Sequence, residues 1–158
     1  MKKPTRHRRV TILLCLLICI SVAIIAVLLI QVQVLKIGDS GLFFRVINGN
    51  IITLRYTHSM YGVPVTERLR VENGRLELFH VVTSDAALEY FGIEGKDENN
   101  VKNSLKEFTI PAESVGRHML SVQGHEILLS NIHTKGQKIH ISIIKQPLVS
   151  YYKDSIWR

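Results

Sequence analysis

From Val10 to Ile30 the chain carries no charged side chain: the run reads VTILLCLLICISVAIIAVLLI. A helix rising about 1.5 Å per residue covers roughly 30 Å over such a run, the depth of a bilayer's hydrocarbon core. The pattern predicts one membrane-spanning helix over residues 10–30, preceded by a basic leader, residues 1–9, and followed by a linker, residues 31–41. A cleaved signal peptide has the same opening pattern but a shorter apolar core that ends in small residues at its cleavage site. Here the small pair Ser21 and Ala23 lies in mid-run, with seven more apolar residues behind it. Neither Cys15 nor Cys19 follows the small residues that lipoprotein processing requires. The uncleaved anchor is the preferred reading.

Beyond residue 41 the hydrophobic period shortens from helical spacing to alternation. Leu42 to Ile47 reads as a strand, 48–50 as a turn, and Ile51 to Ser59 as a second strand with Ile52, Leu54, Tyr56 and His58 on one face. Asn73-Gly74 then separates two alternating runs, 65–72 and 75–83. Asn-Gly favours a two-residue type I′ turn, which predicts a hairpin with Glu72 opposite Arg75, Val71 opposite Leu76, and Leu69 opposite Leu78. A uniform ladder continues to Glu67 opposite His80 and Val65 opposite Val82.

Ser84-Asp85 predicts the start of a short helical turn, Gly92 and Gly95 punctuate the chain, and 97–100 reads as an exposed loop. Val101 and Leu105 are spaced for one amphipathic turn. Phe108 to Ile110, a hairpin of 117–122 with 125–130 about Gln123-Gly124, and a last strand 138–145 after Gly136 complete the pattern. Six to eight short strands predict a mainly β extracytoplasmic domain over 42–158, an antiparallel sandwich or small barrel.

Charge modifies this picture less than the total implies. The net charge is +7, but five of the 20 Lys and Arg residues lie in the leader, leaving 15 against 13 Asp and Glu. That is an ordinary protein surface, and nucleic acid is excluded as a partner class. Lys2, Lys3, Arg6, Arg8 and Arg9 before the apolar run predict a cytoplasmic N-terminus and an outward C-terminal domain in the cytoplasmic membrane. Both cysteines, Cys15 and Cys19, fall inside the run, so the domain has neither a disulfide frame nor a thiolate metal site.

Candidate chemistry centres on His58, Ser59, Glu67 and His80. His58, Glu67 and His80 sit on faces otherwise built of aliphatic residues, and the uniform hairpin register makes Glu67 and His80 neighbours. A carboxylate on an apolar face needs a donor, so a Glu–His pair forming a satisfied polar core is the leading reading. The alternative is a chemical site: two imidazoles and a carboxylate binding zinc, or His58 activating Ser59. Adjacent strand residues point to opposite faces, which disfavours the latter. His118 is placed on an apolar strand face; His125, His133 and His140 are placed at exposed or turn positions. Tyr151, Tyr152 and Trp157 are expected to dock on the domain or a partner. No nucleotide-binding glycine loop, HExxH or GxSxG motif occurs. The leading reading is a non-enzymatic protein without a cofactor, and the alternative is a metal-binding or hydrolytic envelope domain using His58, Glu67 and His80.

The segment Leu54 to Ser84, LRYTHSMYGVPVTERLRVENGRLELFHVVTS, resembles a bacterial family catalogued as domain of unknown function 1850. Its pattern of a strand ending in His-Ser, a Glu beginning the next strand, and a hairpin matches His58, Ser59, Glu67 and Asn73-Gly74. Members are small envelope proteins with an N-terminal signal or anchor that commonly accompany TAXI-type tripartite (TRAP) transporters. The resemblance implies a transporter-associated protein whose partners are the lipid bilayer and a permease or solute-binding component. It implies no reaction.

Overall fold

The computed structural model describes residues 6–38, 42–90, 103–111, 118–132 and 137–156. In chain order the first elements are helix α1 (Arg6–Leu29) and strands β1 (Gln31–Ile37), β2 (Leu42–Val46), β3 (Ile51–Thr57), β4 (Pro64–Glu72) and β5 (Arg75–Val82). Helix α2 (Asp85–Tyr90) follows, then β6 (Asn103–Leu105), β7 (Glu107–Ile110), β8 (Met119–Val122), β9 (His125–Leu128), β10 (Ile139–Pro147) and helix α3 (Leu148–Ile156). The chain forms two units, Met1–Val32 with Gln146–Arg158, and Gln33–Lys145.

In the first unit, Val10–Leu29 of α1 has a mean hydropathy of 3.4 and is long and apolar enough to cross a membrane. Its side chains are exposed throughout. A hydroxyl in such a helix needs an internal acceptor, and Ser21 Oγ donates to the Leu17 carbonyl at 2.9 Å. The α3 helix begins where the Leu148 N–H donates to the Ile30 carbonyl at 2.8 Å.

The second unit contains two antiparallel sheets, a four-stranded one ordered β2-β1-β10-β7 and a six-stranded one ordered β6-β5-β4-β3-β8-β9. Their inner faces share one core in a sandwich-like arrangement. Leu35, Ile37 and Ile141 come from the first sheet, and Ile52, Leu76 and Leu120 from the second, each with no exposed surface. The alternation of the strands accounts for this: Ile52, Leu54 and Tyr56 on β3 turn inward, while Ile51 and Arg55 turn to solvent. The chain changes sheets at Lys106, between β6 and β7.

Asn73 (φ 50°) and Gly74 (φ 76°) turn β4 into β5, and Gln123 (φ 51°) and Gly124 (φ 82°) turn β8 into β9. Paired positive φ values are those of the type I′ turn expected at Asn73-Gly74, and the hairpin expected about Gln123-Gly124 turns in the same way. Side-chain amides join these turns to the β2–β3 connection. Asn48 Oδ1 accepts from the Asn73 N–H at 3.1 Å, and Gln123 Nε2 donates to Asn50 Oδ1 at 3.3 Å.

Two expectations from sequence require correction, and one element was not foreseen. Gln31–Ile37, taken as linker, is a strand whose Val34, Leu35 and Ile37 are buried. The apolar run just before it hides the change of period. Leu105 lies in β6 rather than in a helical turn, because pairing with Leu76 of β5 decides its conformation. Residues 148–156 form a helix, which the aromatic content of that stretch did not announce. Gly92, Gly95, residues 97–100, Val101, His133, Gly136 and Trp157 lie outside the described residues.

Candidate functional site

The hairpin ladder is uniform from Glu72↔Arg75 to Leu69↔Leu78, and there it shifts. Beyond the shift, Arg68 pairs with His80, Glu67 with Val81, and Thr66 with Val82. Phe79 is the extra residue of a β-bulge, which places two residues of one strand against one of its partner. The bulge corrects the predicted pairing of Glu67 with His80. His80 faces Arg68 on the outer surface, where the Arg70 guanidinium lies 4.5 Å above the Phe79 ring. Glu67 remains on the inner face, between Val65 and Leu69.

Its partner there is a tyrosine. The Tyr56 hydroxyl donates to Glu67 Oε1 at 2.7 Å. The register explains the meeting: Tyr56 pairs with Val65 and Leu54 with Glu67, so Tyr56 and Glu67 are diagonal neighbours on one face. On its other side the Tyr56 ring stacks on His118, with centroids 4.8 Å apart and planes 14° from parallel. Continuing the β3–β8 ladder from Leu54↔Leu120 sets residue 118 opposite Tyr56. His118 is 9% exposed, and its carbonyl accepts from the Leu129 N–H at 3.0 Å.

The apolar surroundings of this cluster shape its acid–base behaviour. Val65, Val81 and Leu88 form a small second core, with Tyr56 and Leu78 against it. Burial raises the Glu67 carboxyl above its ordinary range, and the Tyr56 hydrogen bond offsets part of that rise. Burial, the Glu67 charge and the shared hydrogen bond together hold the Tyr56 phenol far above its ordinary value. Tyr56 therefore stays protonated and acts as a donor, not as a base.

His58 lies at the edge of this region, in the turn after β3. Its N–H donates to the Val63 carbonyl, and its carbonyl accepts from Gly62, both at 2.8 Å. Its Nδ1 accepts from the Met60 N–H at 3.3 Å. The His58 ring packs with Tyr61 and Tyr90 at centroid distances of 5.3 and 5.4 Å. Ser59 is exposed in the same turn.

Of the four residues singled out by sequence, Glu67 alone enters the polar cluster. His58 belongs to an aromatic group with Tyr61 and Tyr90, Ser59 to the turn surface, and His80 to the opposite sheet face. Among the described residues, no three His, Cys, Asp or Glu side chains are grouped to hold a metal ion. Tyr56 was on the predicted inner face, but its role went unread. The available signal was the rule that a buried tyrosine hydroxyl seeks a partner. His118 was placed correctly on an apolar face, as were His125 and His140 at exposed positions.

Comparison with known protein families, with curated proteins and with solved structures found no match to this chain.

Proposed function

We propose that this chain is a membrane-anchored accessory protein of the cell envelope, with α1 spanning the cytoplasmic membrane and its β domain on the outer side. The observation that carries the reading is α1 itself: Val10–Leu29 is exposed along its length and has a mean hydropathy of 3.4. Its five flanking basic residues, Lys2 to Arg9, favour an inside N-terminus. The β domain holds Glu67, partly buried, in a hydrogen bond with a tyrosine, and among the described residues it is not paired with a nucleophile, which supports a binding or assembly role over a hydrolytic one. Tethering confines such a domain near membrane partners and raises its effective concentration there.

The resemblance of Leu54 to Ser84 to the transporter-linked family supports a specific partner, the permease or solute-binding component of a TAXI-type TRAP transporter. Chemical crosslinking in native membranes, followed by affinity capture and mass spectrometry, tests this. Recovery of a transport component supports the reading; capture of the crosslinked protein without any transport component contradicts it.

A further inference from the structure

We propose that α3 is a second membrane contact, lying in the headgroup layer at the outer end of α1 and meeting lipid through Val149, Tyr152 and Lys153. This placement rests on the reading that α1 spans the bilayer. Val10–Leu29 is 20 residues long, which at about 1.5 Å per residue accounts for the roughly 30 Å of the hydrocarbon core. Ile30 therefore stands at the edge of that core. The Leu148 N–H donates to the Ile30 carbonyl at 2.8 Å, so α3 starts at the same depth, and it packs against α1. From Leu148 to Tyr152 is a step of four residues, about 6 Å along a helix axis. The headgroup layer is itself about 5–8 Å deep on each side. Tyr152 thus stays at headgroup depth even where the axis points straight outward.

The exposed face of α3 has the chemistry of that layer. Val149 is 45% and Tyr152 51% exposed, and Lys153 is exposed beside them. Their spacing of three and four residues puts all three on one side of the helix, while Leu148, Ser150 and Tyr151 are half-buried. Valine offers the acyl boundary only apolar surface. A tyrosine sets its ring against the chains and its hydroxyl among the headgroups, and a lysine stem carries its ammonium up to the phosphates. The Tyr151 ring braces that of Tyr152, with centroids 5.6 Å apart and planes at 64°. The charge of Lys153 keeps the helix from sinking into hydrocarbon. A helix of nine residues is too short to persist on its own, and α1 on one side and lipid on the other would hold it. With α1 crossing the bilayer and α3 at its surface, the two contacts together limit the tilt of α1.

The test is nitroxide accessibility of the full chain in lipid nanodiscs, with Cys15 and Cys19 replaced by alanine. Single labels are attached through Val149→Cys, Tyr152→Cys and, as a depth reference within α1, Ile20→Cys. Oxygen concentrates in lipid and a nickel chelate in water, so the two collision rates together report depth. At positions 149 and 152, chelate collisions are expected to fall severalfold below those of the free label in buffer, while oxygen still reaches both. The label at position 20 should be shielded from the chelate more strongly still. If the chelate reaches position 149 or 152 as freely as the free label while position 20 lies in lipid, α3 faces water: the anchor stands and the proposal is overturned. Shielding of either α3 site from both reagents means that protein covers it, which also overturns the proposal. A label at position 20 that is open to the chelate removes the membrane-spanning reading, and this inference with it.

Discussion

Gln123 reaches out of its hairpin turn to donate, through Nε2, to the Arg45 carbonyl at 2.7 Å, tying β8–β9 of one sheet to strand β2 of the other. Gln123 holds a positive φ of 51°, a conformation that a residue with a Cβ adopts at some cost. Gln123→Ala keeps that cost and loses the bond, so unfolding of the full chain in detergent should show a loss of about 1–2 kcal/mol. Gln123→Gly relieves the backbone and should lose less. Equal losses would mean that the backbone conformation is immaterial here.

The bulge at Phe79 makes a second prediction. Removing that residue leaves Leu69↔Leu78 and Arg68↔His80 paired, with Val81 still facing inward. Deleting Phe79 should therefore preserve the fold, at a loss of about 1 kcal/mol for the missing contact with Arg70. Cross-strand NMR contacts between residues 68 and 80 report the outcome. In the wild-type chain the same 68–80 contacts are expected, and contacts between residues 67 and 80 in their place would show that the two strands follow a uniform ladder.

That bulge also marks where the sequence stopped being legible. Asn73-Gly74 dictates its turn locally, so the first pairs of the hairpin follow from it. An inserted residue is invisible to alternation, since Leu78, His80 and Val82 keep a period of two on paper while the ladder slips. The pairing of Glu67 went wrong for that reason. Tyr56 and His118 come together only once β3 and β8, far apart in sequence, are neighbours in one sheet. The inner faces of β3, β4 and β10 were readable because each alternates cleanly, with Ile139 and Ile141 buried as expected. β1 was not, because Val34 and Leu35 are both buried in succession.

Strand β1 gives a direct energetic test. Leu35 has no exposed surface and belongs to the shared core. Leu35→Ala should cost about 2–5 kcal/mol in chemical unfolding, as for other buried leucines. A substitution without effect would return residues 31–37 to the status of a linker.

The raised Glu67 carboxyl also fixes a sign for stability. The folded chain holds the proton more tightly than the unfolded chain, whose carboxyl titrates near the ordinary value of 4.5. Between that value and the higher folded one, stability falls as pH rises, and above the folded value the loss is complete. Glu67→Gln should therefore be more stable than wild type at pH 8, with the difference shrinking towards pH 4.5. An unchanged difference across that range would remove Glu67 as its source. Tyr56→Phe should destabilise by about 1 kcal/mol or more at neutral pH, where the carboxylate loses its donor.

The anchor is tested most directly by its own thiols. Cys15 and Cys19 are the only two cysteines in the chain, and both lie exposed on the surface of α1. If α1 spans the membrane, only lipid shields them, because maleimides react with the thiolate in water. In intact membranes neither cysteine should react with a membrane-impermeant maleimide, and both should react on denaturation in detergent. Labelling of either thiol in intact membranes, or a mature protein free of the bilayer and lacking residues 10–29, would contradict a membrane-spanning α1.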